Sequence, residues 1–136
     1  MILGMGTDIV DARRIGRAID HFPTRFINRI FTEAERHAAA ALPEPHAYFA
    51  KRFAAKEAAY KALSGSGVRG LGWQQAETLN QQNGAPMLRL MGQCKTALEA
   101  MTPDGYKAHI SISLSDEPPY ALAFVIIYAA PLKLDN

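Results

Sequence analysis

The sequence contains only one cysteine, Cys94, among its 136 residues. A single cysteine excludes an intrachain disulfide and a cysteine-based zinc cluster, and it is typical of a reducing compartment. We therefore expect a cytoplasmic protein whose stability comes from a hydrophobic core.

Long apolar runs and leader-like segments are also missing. No stretch approaches the roughly 20 apolar residues that a membrane-spanning helix needs. The first residues lack the basic and apolar regions of a secretory signal, and Asp8 interrupts them early. A soluble protein without membrane contact is the expectation.

Positive and negative side chains are nearly balanced in number. The formal net charge is +2, which does not favour a nucleic-acid-binding protein. The arginines are clustered, however, because five of them stand against a single acid, Asp20, between residues 13 and 29: Arg13, Arg14, Arg17, Arg25 and Arg29. This segment predicts an anion-facing surface.

The signature motifs of several enzyme classes are absent as well. There is no G-K-[ST] phosphate loop and no G-x-S-x-G nucleophile elbow. Gly65, Gly67 and Gly70 fit the pattern G-x-G-x-x-G, but they follow a predicted helix instead of a strand, which excludes a dinucleotide-binding fold. The turn either binds a diphosphate through its backbone N–H groups and Arg69 or simply ends the helix.

The hydrophobic patterns that are present predict an α+β fold. A strand at residues 2–9 leads into a helix capped by Asp11, and Thr32 with Glu35 has the spacing of a capping box. Residues 46–63 lack glycine and proline and predict the main helix. Further strands are predicted at residues 73–79, 86–91, 106–115 and 120–128, with a short helix at 92–101. We expect one domain, residues 1–136, with helices packed on a mainly antiparallel sheet whose central strand is the last.

Glu57 and Lys61 stand four residues apart on the main helix and so lie on one face. The simplest interpretation is an exposed ion pair. Apolar neighbours at Phe53 and Tyr60 favour a site instead, and Asp8 adds a second carboxylate at a strand end. Two carboxylates and a lysine are typical of a site that handles phosphates with Mg²⁺. Along residues 106–115 the alternation puts His109 and three serines on one face, where the histidine is either structural or functional.

Three blocks of the sequence resemble the holo-acyl-carrier-protein synthases, the small single-domain 4′-phosphopantetheinyl transferases. They are Gly6-Thr7-Asp8-Ile9-Val10, Arg52-Phe53-Ala54-Ala55-Lys56-Glu57-Ala58-Ala59-Tyr60-Lys61 and His109-Ile110-Ser111-Ile112-Ser113. The third block departs from the family pattern, because Leu114 stands where a histidine often follows.

The resemblance implies that phosphopantetheine is transferred from coenzyme A to a serine of an acyl carrier protein for fatty acid biosynthesis. Asp8 and Glu57 would then hold Mg²⁺, and Lys61 would contact the phosphate at the bond that breaks. Lys51, Arg52 and His109 would bind near the adenosine 3′-phosphate, and Gly65, Ser66 and Gly67 near the pantetheine or diphosphate. Arg13, Arg14 and Arg17 would dock the acidic helix of the carrier protein. Homotrimers with the coenzyme cleft between subunits would be expected.

Two rival functions use the same residues. A magnesium-dependent enzyme acting on a nucleotide would need the carboxylates and Lys61 but no acidic protein partner. A non-catalytic adaptor would use the arginines alone, with Glu57 and Lys61 as a surface pair.

Overall fold

The computed structural model describes residues 1–133, which form five helices and five strands. The helices are α1 (Ala12–His21), α2 (Pro23–Ile30), α3 (Glu33–Ala40), α4 (Pro45–Ala62) and α5 (Gly92–Met101). The strands are β1 (Ile2–Asp11), β2 (Ala76–Asn80), β3 (Pro86–Leu90), β4 (Tyr106–Glu117) and β5 (Tyr120–Pro131). None of the helices within these residues has the length and apolar character that crossing a membrane requires.

The strands form two antiparallel sheets. The larger has the order β1-β5-β4, so the last strand is central as the sequence predicts. The smaller is the β2–β3 hairpin, whose turn contains Gly84 at a φ of +87°. The predicted α+β class with a mainly antiparallel sheet is confirmed.

Helix α4 packs across the inner face of the larger sheet through small side chains. The alanines that it buries in this core are at most 2% exposed: Ala50, Ala54, Ala55, Ala58, Ala59 and Ala62. Gly4 and Gly6 of β1 face this helix, and a Cβ added at either would run into the carbonyl oxygens of Ala62 and Ala58. Both sides of the contact are therefore small, and β1 lies close to α4.

Both predicted helix caps are confirmed. The Asp11 carboxylate accepts a hydrogen bond from the backbone N–H of Arg13 at 2.9 Å. Thr32 and Glu35 form a reciprocal capping box at the start of α3.

Two local predictions are incomplete. Helix α2 is absent from them; Pro23 occupies its first turn, where proline is well tolerated. Residues 73–75 form a short 3-10 turn and not the start of a strand.

The outer face of the larger sheet is unusually apolar for an exposed surface. Alternation along β1 and β5 turns a set of large side chains away from α4, and each of these is at least 37% exposed: Met5, Ile9, Leu122, Phe124 and Tyr128. His109 of β4 lies on the same face, stacked on Tyr128 with 5.2 Å between ring centroids.

Candidate active site

Asp8 points from β1 toward α4. Its side chain shares the inner face of the strand with Gly4, Gly6 and Val10, and 18% of it is exposed. The close approach of β1 to α4 therefore brings this carboxylate to the last turns of the helix.

Lys61 meets Asp8 at this crossing. Its Nζ donates a hydrogen bond to the backbone carbonyl of Thr7 at 2.8 Å and lies 3.2 Å from Asp8 Oδ1. Within residues 1–133 the lysine forms this ion pair and none with Glu57. The simple surface pair that the four-residue spacing suggests is therefore not formed.

Glu57 lies one turn before Lys61 and is half-buried. Burial raises the pKa of its carboxyl group, and the charge of Asp8 raises it further, while Lys61 and Arg14 act in the opposite direction. Two carboxylates thus compete for the same cations, and an added cation at this point would relieve their repulsion.

An aromatic cluster lies beside Glu57, since Phe53 and Tyr60 stand four and three residues from it on α4. Phe53 stacks on Trp73 with 5.3 Å between ring centroids, and Tyr60 meets Trp73 edge-on at 5.5 Å. The Arg14 guanidinium carbon lies 5.9 Å from the centre of the Phe53 ring.

The glycine-rich turn follows directly after α4. Residues Ser64–Ser66 form a 3-10 turn, and Gly67 ends it at a φ of +72°. A Cβ added at Gly65 or Gly67 would meet nothing within 4 Å, so the turn is open to solvent beside Lys61.

Arg13 and Arg17 of α1 line one cleft, whereas Arg14 faces another part of the molecule. Arg13 is bound to the Asp11 carboxylate, with Nη2 to Oδ2 at 2.8 Å, and this pairing lowers the pKa of Asp11 to about 2. Arg14 faces Phe53 and Glu57. Arg17 is exposed and lines, with Asp20 and His46, an open cleft of about 710 Å³ beside the start of α4.

Three other residues predicted near the coenzyme lie apart from Asp8, Glu57 and Lys61. Lys51 pairs with Asp116 at 3.4 Å, near the end of β4. Arg52 is 3% exposed, donates to Asn80 Oδ1 at 2.9 Å and covers the Tyr48 ring. His109 is on the outer face of β4, so the sheet itself separates its side chain from α4.

A buried ion pair beside the site is missing from the sequence predictions. Lys56 and Glu35 are both completely buried, and Lys56 Nζ lies 2.8 Å from Glu35 Oε1 and 2.6 Å from the carbonyl of Ala76. Glu35 also accepts from the N–H groups of Thr32 and Thr78. The capping box gave a signal for Glu35, but no pattern singles out Lys56 as buried. The pair joins α3, α4 and β2 and holds the helix that carries Glu57.

Among the residues that the structure describes, no group of three or more histidine, cysteine, aspartate or glutamate side chains could by itself hold a metal ion. Asp8 and Glu57 thus supply two carboxylates, which is the protein contribution typical of a Mg²⁺ ion that also binds water and substrate phosphates. The site therefore brings together two carboxylates, one ammonium group and an exposed run of glycine-rich backbone.

The chain is similar to proteins of one known family. The sequence model of the 4′-phosphopantetheinyl transferase superfamily matches residues 4–125. The chain belongs to this superfamily.

Individual relatives show which members of the superfamily the chain is similar to. A protein of Xanthobacter autotrophicus named holo-[acyl-carrier-protein] synthase is 47% identical over 131 residues, covering 96% of this chain and 97% of the relative. The crystal structure of holo-[acyl-carrier-protein] synthase from Neisseria meningitidis is 37% identical, with a TM-score of 0.80 over 94% of this chain and 99% of that one. A Bacillus anthracis synthase in complex with coenzyme A (3′,5′-ADP) is 32% identical, with a TM-score of 0.71 over 93% and 96% of the two chains.

Proposed function

We propose that this protein transfers the 4′-phosphopantetheine group of coenzyme A to a serine of an apo acyl carrier protein, producing the holo carrier protein and 3′,5′-ADP. The observation that carries the proposal is the meeting of Asp8, Glu57 and Lys61 where β1 crosses α4, in a chain of the phosphopantetheinyl transferase superfamily. The Bacillus anthracis relative, which binds coenzyme A, supports the choice of donor.

The metal in this proposal is Mg²⁺, held by Asp8 and Glu57. The donor set supports it, because the mutual repulsion of the two carboxylates contributes to the raised pKa of Glu57. When bound, the ion supplies positive charge for the diphosphate of coenzyme A.

The remaining chemistry belongs to side chains of this protein. The serine oxygen of the carrier attacks the β-phosphorus of coenzyme A, and the bond from this phosphorus to the bridging oxygen breaks, so 3′,5′-ADP leaves. Glu57, directly or through a water molecule, accepts the serine proton. Lys61 stabilises the charge that develops on the leaving phosphate, or donates a proton to it.

The coenzyme contacts remain candidates. The open turn at Gly65, Ser66 and Gly67 supports a role in holding the diphosphate or pantetheine. Lys51, Arg52 and His109 are proposed near the adenosine 3′-phosphate. Arg52 is buried within its own chain, so its contact with the coenzyme would require a local movement.

The acidic helix of the carrier protein is proposed to dock on α1. Arg14 is the strongest candidate because it lies beside Phe53 and Glu57, where the attacking serine must arrive. Arg13 and Arg17 would extend the basic surface, although Arg13 already shares its charge with Asp11.

We further propose that the protein acts as a homotrimer with its cleft between neighbouring subunits. The exposed apolar face of the sheet supports this, since soluble proteins rarely leave such a patch uncovered. His109 adds a second argument. It lies on that outer face, opposite to Asp8, so one site can contain both only if the outer face of one copy meets the α4 face of the next.

The unit that performs these steps is proposed to be one domain, residues 1–136, working in the cytoplasm. A lone buried cysteine, Cys94, supports a reducing compartment.

Intact-protein mass spectrometry tests the proposed reaction. Purified protein, Mg²⁺, coenzyme A and an apo carrier should give a carrier heavier by one phosphopantetheine group, and replacing its serine with alanine should abolish the increase. Breakdown of coenzyme A without modification of the carrier would support the nucleotide-directed rival and contradict the proposal.

A further inference from the structure

Tyr60 makes contacts that the proposed reaction does not use. It stands in the last turn of α4, and its hydroxyl donates a hydrogen bond to the backbone carbonyl of Gly72 at 2.6 Å. Its half-buried ring packs edge-on against Trp73. Burial raises the pKa of Tyr60 above its ordinary value, so the phenol keeps its proton across the neutral range.

This hydrogen bond fixes the far end of the glycine-rich loop, residues 64–72. At the near end, Ser64 Oγ donates to the carbonyl of Lys61 at 2.8 Å. At the far end, the Gly72 N–H donates to Gln75 Oε1 at 3.1 Å, and its carbonyl receives the Tyr60 hydroxyl. The two neighbouring residues Tyr60 and Lys61 thus anchor the opposite ends of the loop.

Between these ends Val68 and Leu71 pack against the core, but the backbone of the loop makes few hydrogen bonds. Val68 N–H donates to Ser66 Oγ at 3.1 Å, but within residues 1–133 the backbone N–H groups of Arg69, Gly70 and Leu71 donate to no protein acceptor. Gly67 and Gly70 both have positive φ, and a Cβ at either would meet nothing within 4 Å. A backbone with so few hydrogen bonds depends for its shape on the side chains that anchor it, which include the Tyr60 hydroxyl.

We propose that Tyr60 is a positioning residue for coenzyme A, because its hydrogen bond to Gly72 holds the glycine-rich loop in the shape that receives the diphosphate or pantetheine. Successive helical residues point about 100° apart. The last turn of α4 therefore directs Tyr60 to the loop while it directs Lys61 to Asp8. The inference rests on the proposed contact of residues 65–67 with coenzyme A.

The substitution Tyr60→Phe tests this role, because it keeps the ring against Trp73 and removes only the hydroxyl. Loss of one hydrogen bond should raise the KM for coenzyme A about three- to tenfold, with kcat and the KM for the carrier protein within about twofold of the wild type. Tyr106→Phe, at a half-buried tyrosine of β4, is the matched control and should change none of these constants.

A binding measurement tests the role of Tyr60 without requiring the enzyme to turn over. Trp73 is the only tryptophan of the chain, so its fluorescence reports directly on the cluster that Tyr60 joins. Titration with coenzyme A should give a Kd about three- to tenfold higher for Tyr60→Phe than for the wild type.

Gly67→Val separates the two proposals. A β-branched residue at a φ of +72° distorts the loop itself. Wild-type affinity of Gly67→Val for coenzyme A would contradict the loop contact. Weakened binding by Gly67→Val with normal binding by Tyr60→Phe would overturn the role of Tyr60 alone. A lower kcat for Tyr60→Phe, together with KM values for coenzyme A and the carrier protein that are raised to the same degree, would also overturn it. That pattern indicates general damage to the fold.

Discussion

Lys61 Nζ lies 3.2 Å from Asp8 Oδ1, so the last turn of α4 is joined to β1 through the same two groups that the proposed chemistry requires. The lysine is half-exposed, and its second bond is to the Thr7 carbonyl on the same strand. It compensates the charge of both Asp8 and Glu57. The geometry of the site therefore depends on how closely the strand approaches the helix.

The substitution Gly6→Ala should test this dependence. The added methyl group would collide with the carbonyl of Ala58 and come within 2.9 Å of Lys61 Cβ, so β1 must move away from α4. We expect a loss of about 2–4 kcal/mol in the free energy of unfolding, together with a large fall in transfer activity. Urea denaturation measures the first effect.

Gly65→Ala provides the matched comparison for stability, because its methyl group would meet nothing within 4 Å. It should unfold at nearly the wild-type urea concentration. Equal stability of the two variants would mean that β1 and α4 are not in close contact.

Glu57→Gln should stabilise the protein in the absence of metal at neutral pH. The folded-state pKa of Glu57 is raised above 4.5, first by burial and then by Asp8, so the ionised carboxylate opposes folding. Above the folded-state pKa this cost is fully present, and below 4.5 the group is protonated in both states and the cost disappears.

Thermal melts in a chelator check this effect. The melting temperature of Glu57→Gln should exceed that of the wild type by roughly 1–3 °C at neutral pH. At a pH below the ordinary pKa of glutamate the two melting temperatures should be equal. Glu99→Gln, at an exposed position of α5, should show no such gain. A loss of stability in Glu57→Gln at neutral pH would contradict the assigned repulsion.

Arg14→Glu should raise the KM for the carrier protein about tenfold or more and leave the KM for coenzyme A within about twofold. Reversal of a charge beside Phe53 should repel an acidic helix without reaching the diphosphate. Arg89→Glu, on the exposed side of β3, is the control for a change in net charge. Equal effects of Arg14→Glu on the two KM values would exclude α1 as the docking surface.

Mixing two inactive variants tests whether neighbouring subunits share a site. His109→Ala and Glu57→Gln subunits, partly unfolded and refolded together, should recover activity. In a ring of three with the cleft between neighbours, every mixed trimer contains one interface with both residues intact. Mixed trimers seen by native mass spectrometry without any activity would show that His109 acts within its own chain or not at all.

Much of this fold could be predicted from the sequence because local signals are strong. Helix α4 follows from a long stretch without glycine or proline, and the starts of α1 and α3 follow from their caps at Asp11 and Thr32. Helix α2 could not be predicted in the same way, since Pro23 is equally compatible with ending one helix and beginning another.

The partners of the charged residues were harder to predict, because they depend on contacts between distant parts of the chain. Spacing along α4 suggested Glu57 for Lys61, whereas the crossing of β1 supplies Asp8. Lys56 has the sequence context of an ordinary helix lysine but lies in the core against Glu35. The pattern of β5 predicts a central strand, yet it does not tell which of its two apolar faces α4 covers.

The most direct test of the account is the initial rate of phosphopantetheine transfer with Mg²⁺ for three variants: Asp8→Asn, Glu57→Gln and Lys61→Met. Each should lower kcat at least about a hundredfold while the circular dichroism spectrum stays that of the wild type. A folded variant of any of the three with a near-normal kcat would contradict the site that this account proposes.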